Sequence, residues 1–192
     1  MSGQSQAIEQ WVKQVSAITS PDRIVYCDGS AQEARQLIQQ CLQTGVLIEL
    51  NQQKLPGCYL HRSAPHDVAR TEHLTFISTK NNEDAGRNNN WMSPNDARMS
   101  LTSLFNGAMK GRTMYVVPFL MGPPGSRFSK VGVEITDSKY VVLNMRIMTR
   151  VGNVALEHLS QGNSEDFTRC LHSLGDLSPD RRYIVHFPED NA

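Results

Sequence analysis

The residues with the clearest chemical potential are an arginine and a glutamate two positions apart. Arg70 and Glu72 lie near the start of residues 68–77, whose β-branched and apolar content predicts a strand, directly after a Ser- and Pro-containing loop at residues 62–66. Because strand side chains alternate between faces, both would project to one face. Arg70 would then offer a carboxylate two parallel hydrogen bonds, and Glu72 would orient its guanidinium. From composition alone, a structural Arg–Glu pair is favoured over a ligand contact.

Two glycine-containing loops resemble phosphate-binding loops only in composition. Residues 122–126 read Gly-Pro-Pro-Gly-Ser, and the prolines delete two of the backbone N–H donors that a phosphate cradle requires. In residues 107–113 the lysine precedes the second glycine and Thr113 is predicted to open a strand, whereas the lysine of a Walker A loop follows that glycine and opens a helix. We therefore expect strand-connecting turns.

Metal binding and nucleophilic catalysis receive little support from residue spacing. His61, His66 and His73, with Asp67 and Glu72 nearby, fit neither HExxH nor a two-His-one-carboxylate set on one helix. On a strand, His73 would also point away from Glu72. The chain contains no Gly-x-Ser-x-Gly elbow, and its spacing supports no Cys–His pair. We assign no catalytic residue and no metal ligand, and we interpret the histidines as ordinary surface or loop residues.

Composition is that of a globular protein with one domain over residues 1–192. Nineteen basic and nineteen acidic side chains cancel, so we expect neither nucleic acid nor membrane as a partner. Residues 110–150 nevertheless carry seven basic against two acidic side chains, a candidate anion-binding or interdomain surface. The four cysteines form no CxxC pair and no apolar signal segment is present, which predicts reduced thiols and a cytoplasmic location.

Helices and strands alternate along the predicted chain. Helices are indicated at residues 7–17, from the Ser30 cap to near Gly45, and from the Ser93 cap to Gly107. A further helix is predicted to begin between positions 144 and 150 and to run through position 159. Strands are predicted at 23–26, 46–50, 58–61, 68–77, 113–119, 131–135, 140–143 and 183–187.

This pattern predicts an α/β fold, a mixed sheet with flanking helices. The polar residues 81–90 are expected to form a mobile excursion. The final strand with no helix after it suggests a chain cut at a domain boundary.

Several runs of residues resemble the N-terminal domain of GTP-dependent phosphoenolpyruvate carboxykinase. They occur in the family's order and extend over about residues 60–192. The runs are DVARTE at 67–72, NWMS at 90–93, MKGRTMYVVPF at 109–119, MGP at 121–123, YVV at 140–142 and MRIMTR at 145–150.

The resemblance implies an activity and a role for Arg70. Family members interconvert oxaloacetate and GTP with phosphoenolpyruvate, GDP and carbon dioxide. Arg70 matches the arginine that grips the substrate carboxylate, with Glu72 as the residue that supports it. Such a grip would position the keto acid and would not transfer a proton. The resemblance also implies Mn²⁺ or Mg²⁺ and GTP in the full-length enzyme.

Family chains are several times longer than this one. Their glycine-rich substrate loop, metal-binding Lys, His and Asp, kinase-type phosphate loop and mobile lid have no counterpart in these 192 residues. We therefore expect an inactive fragment that binds neither metal nor GTP by itself, whose partner is a missing C-terminal domain. The alternative is a free-standing, non-enzymatic module that binds an organic acid or a protein.

Overall fold

The computed structural model describes residues 5–63, 71–175, 178 and 181–192. The helices in these ranges are α1 (Gln6–Thr19), α2 (Ala31–Gln43), α3 (Pro94–Phe105), α4 (Lys139–Met148) and α5 (Asn153–Ser160). The strands are β1 (Arg23–Tyr26), β2 (Ile48–Glu49), β3 (Tyr59–Leu60), β4 (Thr75–Ile77), β5 (Asn90–Trp91), β6 (Thr113–Met121), β7 (Lys130–Thr136), β8 (Arg150–Val151), β9 (Thr168–Leu171) and β10 (Ile184–His186).

Three sheets carry these strands. The largest has five strands in the order β1-β6-β7-β9, with β8 also paired to β6. It is mixed, because β1–β6 and β7–β9 are parallel whereas β6–β7 and β6–β8 are antiparallel. A second sheet, β10-β4-β5, is wholly parallel, and β2 and β3 form an antiparallel pair. The predicted α/β fold with a mixed sheet is confirmed.

Helices cover both faces of the five-stranded sheet. Alternate residues of β6 point to opposite faces, so Met114 and Val116 join a core with α1, α5 and Phe167, whereas Tyr115 and Val117 join a second core with α2 and α4. Within the described residues, no helix has the length and apolar character needed to span a membrane.

The predicted helix starts are confirmed where the cap is local in sequence. The Ser30 hydroxyl accepts a hydrogen bond from the Glu33 backbone N–H, and the Glu33 carboxylate accepts from the N–H groups of Asp28 and Gly29. These bonds satisfy donors that a helix start leaves unpaired. At the start of α3, the Ser93 hydroxyl accepts from the Asp96 backbone N–H and donates to the Asp96 carboxylate.

Two predictions in the motif-rich part of the chain are wrong. Residues 140–143 belong to α4 and not to a strand, and this helix begins at Lys139, before the predicted interval. Ser138 caps it, accepting from the Val141 N–H, and Val142 fills the core beneath it. Burial of one helical face therefore outweighs the strand preference of adjacent valines. Strand β9 was not predicted.

The structure also corrects the interpretation of residues 68–77 and 81–90. In the first segment, only Thr75–Ile77 forms a strand, and Glu72–Leu74 is a short 3₁₀ helix. In the second segment, Asn82–Ala85 forms a 3₁₀ helix and strand β5 begins at the last residue. A short 3₁₀ helix therefore replaces most of the strand predicted at residues 68–77, and another lies within the excursion predicted at residues 81–90.

Candidate functional site

Arg70, the predicted substrate contact, lies outside the described residues, whereas its partner Glu72 lies within them. Glu72 is exposed and opens a 3₁₀ helix. Side chains alternate between faces only in a strand, and Glu72 is not in one. The argument that Arg70 and Glu72 project to one face therefore no longer holds. What the structure shows is how the backbone directly after Arg70 is held.

Hydrogen bonds within the segment and from the side chain of Asn90 fix the backbone of residues 71–75. Thr71 is buried, and its carbonyl oxygen accepts from the Leu74 N–H and the Thr75 hydroxyl, each at 2.9 Å. The side-chain amide of Asn90 donates to the carbonyl oxygens of Glu72 at 2.6 Å and Thr75 at 3.1 Å. Asn90 thus ties β5 to the segment that follows Arg70. Sequence reasoning missed this role, although Asn90 lies in one of the quoted motifs.

The parallel sheet β10-β4-β5 also holds this segment, because strand β4 continues from it. Phe76 pairs with Asn90 and Ile77 with Trp91, and β10 pairs with the opposite edge of β4. The indole N–H of Trp91 donates to the carbonyl oxygen of Thr79, a buried residue, at 3.0 Å. The motif at residues 90–93 therefore positions β4 by side-chain and backbone bonds together.

An ion pair between a partly exposed arginine and a buried carboxylate lies near the motifs. The Asp137 carboxylate is fully buried and lies 2.8 Å from the Arg112 guanidinium. It also accepts from the Ser173 hydroxyl and the Leu174 N–H, both at 2.9 Å, while Arg112 donates to the carbonyl oxygen of Gly175. Because every partner is charged or polar and well placed, the pair anchors residues 173–175 to the ends of β6 and β7.

Gly122 begins a turn between antiparallel strands, as predicted for the glycine- and proline-rich loop. The loop joins β6 to β7, and the Ser129 hydroxyl donates to the carbonyl oxygen of Pro123 at 2.6 Å. Gly122 has φ +94°, and a Cβ there would lie 2.7 Å from the Ser129 hydroxyl oxygen, so a side chain is excluded. Thr113 opens strand β6, as predicted, but the preceding loop joins helix α3 to β6, so the expectation of a strand-connecting turn there is wrong.

Of the histidines considered as metal ligands, His61 and His73 lie within the described residues. His61 donates from Nδ1 to the carbonyl oxygen of Val46 at 2.7 Å, and its ring stacks on Tyr140 with centroids 3.7 Å apart. His73 lies in the 3₁₀ helix, whereas His66 falls outside the described residues. In the part of the chain that the structure describes, no three His, Cys, Asp or Glu side chains group together as a metal site.

Glu134 is a half-buried residue of β7 that sequence reasoning did not single out. Burial raises its pKa to about 7 from an ordinary 4.5, and no described residue donates a hydrogen bond to its side chain. Cys170 is its register partner on β9, and burial, with Glu134 adding to it, raises the pKa of that thiol to about 11. A thiol whose pKa is raised is unreactive, and this favours a structural role for the Glu134–Cys170 pair.

A cleft of about 300 Å³ lies against α2, away from the segment after Arg70. Its lining is mostly polar and includes Arg23, Asp28, Gln36 and Tyr115. None of the lining residues belongs to residues 71–93. The cleft is therefore separate from the segment after Arg70, although Tyr115, which lines it, belongs to the motif at residues 109–119.

Comparison with known proteins gives the arrangement its context. Residues 10–192 match the profile of the family described as "Phosphoenolpyruvate carboxykinase N-terminal domain". The chain belongs to this family.

Known relatives of this phosphoenolpyruvate carboxykinase N-terminal domain carry the name "Phosphoenolpyruvate carboxykinase [GTP]". One from Anaeromyxobacter dehalogenans is 55% identical over 95% of this chain, which covers 30% of that protein. One from Chlamydia muridarum is 47% identical over 96% of the chain, covering 33% of that protein. One from Corynebacterium jeikeium is 45% identical over 97% of the chain, covering 32%. The chain thus spans about a third of the length of the curated relatives it matches.

The matched region contains every residue discussed above, from Glu72 and Asn90 to Arg112 and Asp137. In this phosphoenolpyruvate carboxykinase N-terminal domain, several residues of the motifs therefore have structural roles. Ser93 caps α3, Asn90 anchors the backbone after Arg70, and Arg112 pairs with the buried Asp137 carboxylate.

Proposed function

We propose that this chain is the substrate-side domain of a GTP-dependent phosphoenolpyruvate carboxykinase. In that reaction the bond to the departing carboxylate of oxaloacetate breaks to release carbon dioxide, and the enolate oxygen takes the γ-phosphoryl group of GTP to give phosphoenolpyruvate and GDP. The observation that carries the proposal is the family match over residues 10–192 together with identities of 45–55% to relatives of that name.

Arg70 is proposed as the residue that binds the substrate carboxylate. The anchored backbone of residues 71–75 supports this role, because a guanidinium can hold a ligand in one orientation only if its own backbone is held. Glu72, exposed directly after Arg70, is proposed to orient the guanidinium. The contribution of the pair is positioning, with no proton transfer assigned to either side chain.

The divalent metal and GTP are proposed to bind outside this chain, in the remaining part of the full-length enzyme. The described residues offer no metal-binding group of three His, Cys, Asp or Glu side chains. The loop at residues 122–126 presents two prolines where a phosphate cradle needs N–H donors. We derive no step through the metal or the nucleotide from these residues. The described cysteines are unpaired, which supports a reducing, cytoplasmic location.

The test replaces the matched segment of the Anaeromyxobacter relative, 182 residues long, with this chain. The chimera should convert oxaloacetate and GTP to phosphoenolpyruvate. Arg70→Ala should lower kcat/KM for oxaloacetate by about a hundredfold or more, because a bidentate carboxylate contact is lost. Arg70→Lys should recover only part of the loss, since an ammonium cannot replace the planar fork.

The matched control is Arg87→Ala. Arg87 is an exposed arginine outside the anchored segment and should leave kcat/KM within about twofold of the parent. Equal losses in the two variants would contradict the assignment of Arg70. A folded chimera without activity would contradict the proposed function itself.

A further inference from the structure

An exposed apolar surface lies at one end of the five-stranded sheet. Among the described residues, the four most exposed large apolar side chains are Ile147 (82%), Phe128 (76%), Met99 (69%) and Met148 (66%). Three of these belong to this surface, and half-exposed Met121 completes it. We call Met121, Phe128, Ile147 and Met148 the apolar patch. Met99 lies elsewhere, on α3.

Strand pairing brings the members of the apolar patch to the same end of the sheet. Strand β8 follows α4 directly and pairs antiparallel with the end of β6 that carries Met121. The Arg150 guanidinium reinforces this pairing by donating to the carbonyl oxygen of Gly122 at 2.9 Å. Met121 also pairs with Lys130, two positions after Phe128. The C-terminal end of α4 and the β6–β7 turn are therefore neighbours.

The rim of the apolar patch is basic. Arg127, Lys130 and Arg150 are exposed, and residues 121–130 and 144–150 contain no aspartate or glutamate. The Arg127 guanidinium lies over the phenyl ring of the patch, 4.7 Å from its centroid. None of the three forms an ion pair within the described residues. An apolar centre with a basic rim complements an apolar surface with an acidic rim.

The charge pattern disfavours a second copy of the chain as the occupant. A two-fold dimer would place each basic rim against its own copy or close to it, which like-charge repulsion opposes. The relatives supply a different occupant, because about two thirds of each lies beyond the region that this chain matches. Large exposed apolar side chains grouped on one surface are typical of a surface that another part of a protein covers.

We propose that the apolar patch docks against an apolar, acid-rimmed surface in the part of full-length phosphoenolpyruvate carboxykinase that has no counterpart in this chain. The inference deepens the proposed function and rests on it for the identity of the occupant. The inference assigns no role to Arg70 and is tested without a catalytic measurement. The docking proposal and the proposed function can therefore fail separately.

Hydrogen exchange tests the docking directly, by comparing the 192-residue chain with the chimera described above. Backbone amides in residues 121–130 and 144–150 should exchange about tenfold more slowly in the chimera, because docking suppresses local opening at the covered surface. Amides around Met99 on α3 serve as the internal reference and should exchange equally in both proteins. Equal exchange of the patch amides in the two proteins would overturn the proposal.

A pair of matched variants tests the same surface by stability. Ile147→Ser should leave the unfolding temperature of the isolated chain unchanged, because the side chain is exposed there. In the chimera it should lower the unfolding temperature by roughly 3 °C or more, or separate one transition into two. Met99→Ser, which removes an apolar side chain of similar exposure, should be silent in both proteins.

The remaining outcomes identify other occupants and count against the proposal. Ile147→Ser as silent as Met99→Ser in the chimera would show that the patch stays uncovered. Concentration-dependent dimerisation of the isolated chain that Ile147→Ser abolishes would indicate a second copy. Binding of the chain to vesicles of phosphatidylserine and phosphatidylcholine, lost in Phe128→Ser, would indicate a membrane surface. A chimera that fails to fold while both parents fold would show that the two surfaces do not match.

Discussion

At the scale of single residues, the burial of the Glu134 carboxyl group makes the stability of the folded chain depend on pH. This group ordinarily titrates near 4.5, and burial raises the pKa to about 7 in the folded chain. Between these two values the unfolded chain has released the proton and the folded chain retains it. Because the folded state then binds more protons, stability falls as pH rises through this window and stays lower above it. The neighbouring Cys170 thiol remains protonated across the window.

Glu134→Gln should therefore remove much of this pH dependence. The variant keeps the shape of the neutral carboxyl, so its free energy of unfolding should match the parent near pH 4.5 and exceed it by roughly 3 kcal/mol or less above pH 7. Urea unfolding at several pH values measures the difference. Glu157→Gln, at an exposed carboxylate on α5, is the control and should leave the parent's profile in place. If the free energy of unfolding changed with pH equally in the parent and in Glu134→Gln, the explanation would be refuted.

A second residue-scale prediction concerns the Arg112–Asp137 pair. Arg112→Met leaves the fully buried Asp137 carboxylate with only its bonds from Ser173 and Leu174. We expect a loss of about 1–3 kcal/mol in the free energy of unfolding, since the guanidinium is partly exposed and the loss is smaller than for a wholly buried pair.

The control for Arg112→Met is a pair of the same type at the surface. Arg98→Met breaks the ion pair with Asp190, in which both side chains are exposed, and should cost less than about 1 kcal/mol. Both variants are compared by urea unfolding under the same salt conditions. Equal losses in the two variants would show that burial of Asp137 does not decide the energetics.

At the scale of elements, local signals could be predicted from the sequence and distant ones could not. The caps at Ser30 and Ser93 were predicted because cap and capped N–H lie within three residues, whereas the equally local cap at Ser138 was missed because the valines after it suggested a strand. Strand β9 was missed because its TRCL sequence shows no alternation, and its pairing with β7 joins segments far apart in the chain. The parallel pairing of β10 with β4 likewise joins segments that are far apart in the chain.

Helix α4 shows why a strand-like sequence folds as a helix. Residues 140–143 contain two adjacent valines, which favour a strand by propensity. The Ser138 hydroxyl nevertheless caps a helix, and Val142 and Met145, three positions apart, both contact the core of Cys27 and Tyr115. Tertiary burial at helical spacing therefore decides the element, and that information is absent from the local sequence.

The cap itself can be tested. Ser138→Ala removes the acceptor of the Val141 N–H at the start of α4 and should lower the free energy of unfolding by about 1 kcal/mol. Ser160→Ala is the control, because the Ser160 hydroxyl donates to an exposed carbonyl oxygen that water can satisfy instead. A Ser138→Ala loss no larger than that of Ser160→Ala would show that packing alone starts the helix.

At the scale of the whole molecule, family resemblance and structure give different parts of the site. Residue type and spacing singled out Arg70 and Glu72, and the resemblance then favoured a substrate contact over a structural pair. The structure supplied the supports, such as Asn90 and the Arg112–Asp137 pair, which join residues 15 to 63 positions apart in sequence. A single sequence contains no signal for such pairings, because they exist only once the strands have assembled.

The whole-molecule proposal yields a final prediction about activity. The 192-residue polypeptide assayed by itself should show no conversion of oxaloacetate and GTP to phosphoenolpyruvate, even with Mn²⁺. Phosphoryl transfer requires a metal and a phosphate-binding loop around the transferring group, and the described residues provide neither. The assay follows phosphoenolpyruvate formation, with the full-length Anaeromyxobacter relative as positive control. Turnover that co-purifies with the polypeptide and disappears in Arg70→Ala would show that this domain carries the chemistry by itself.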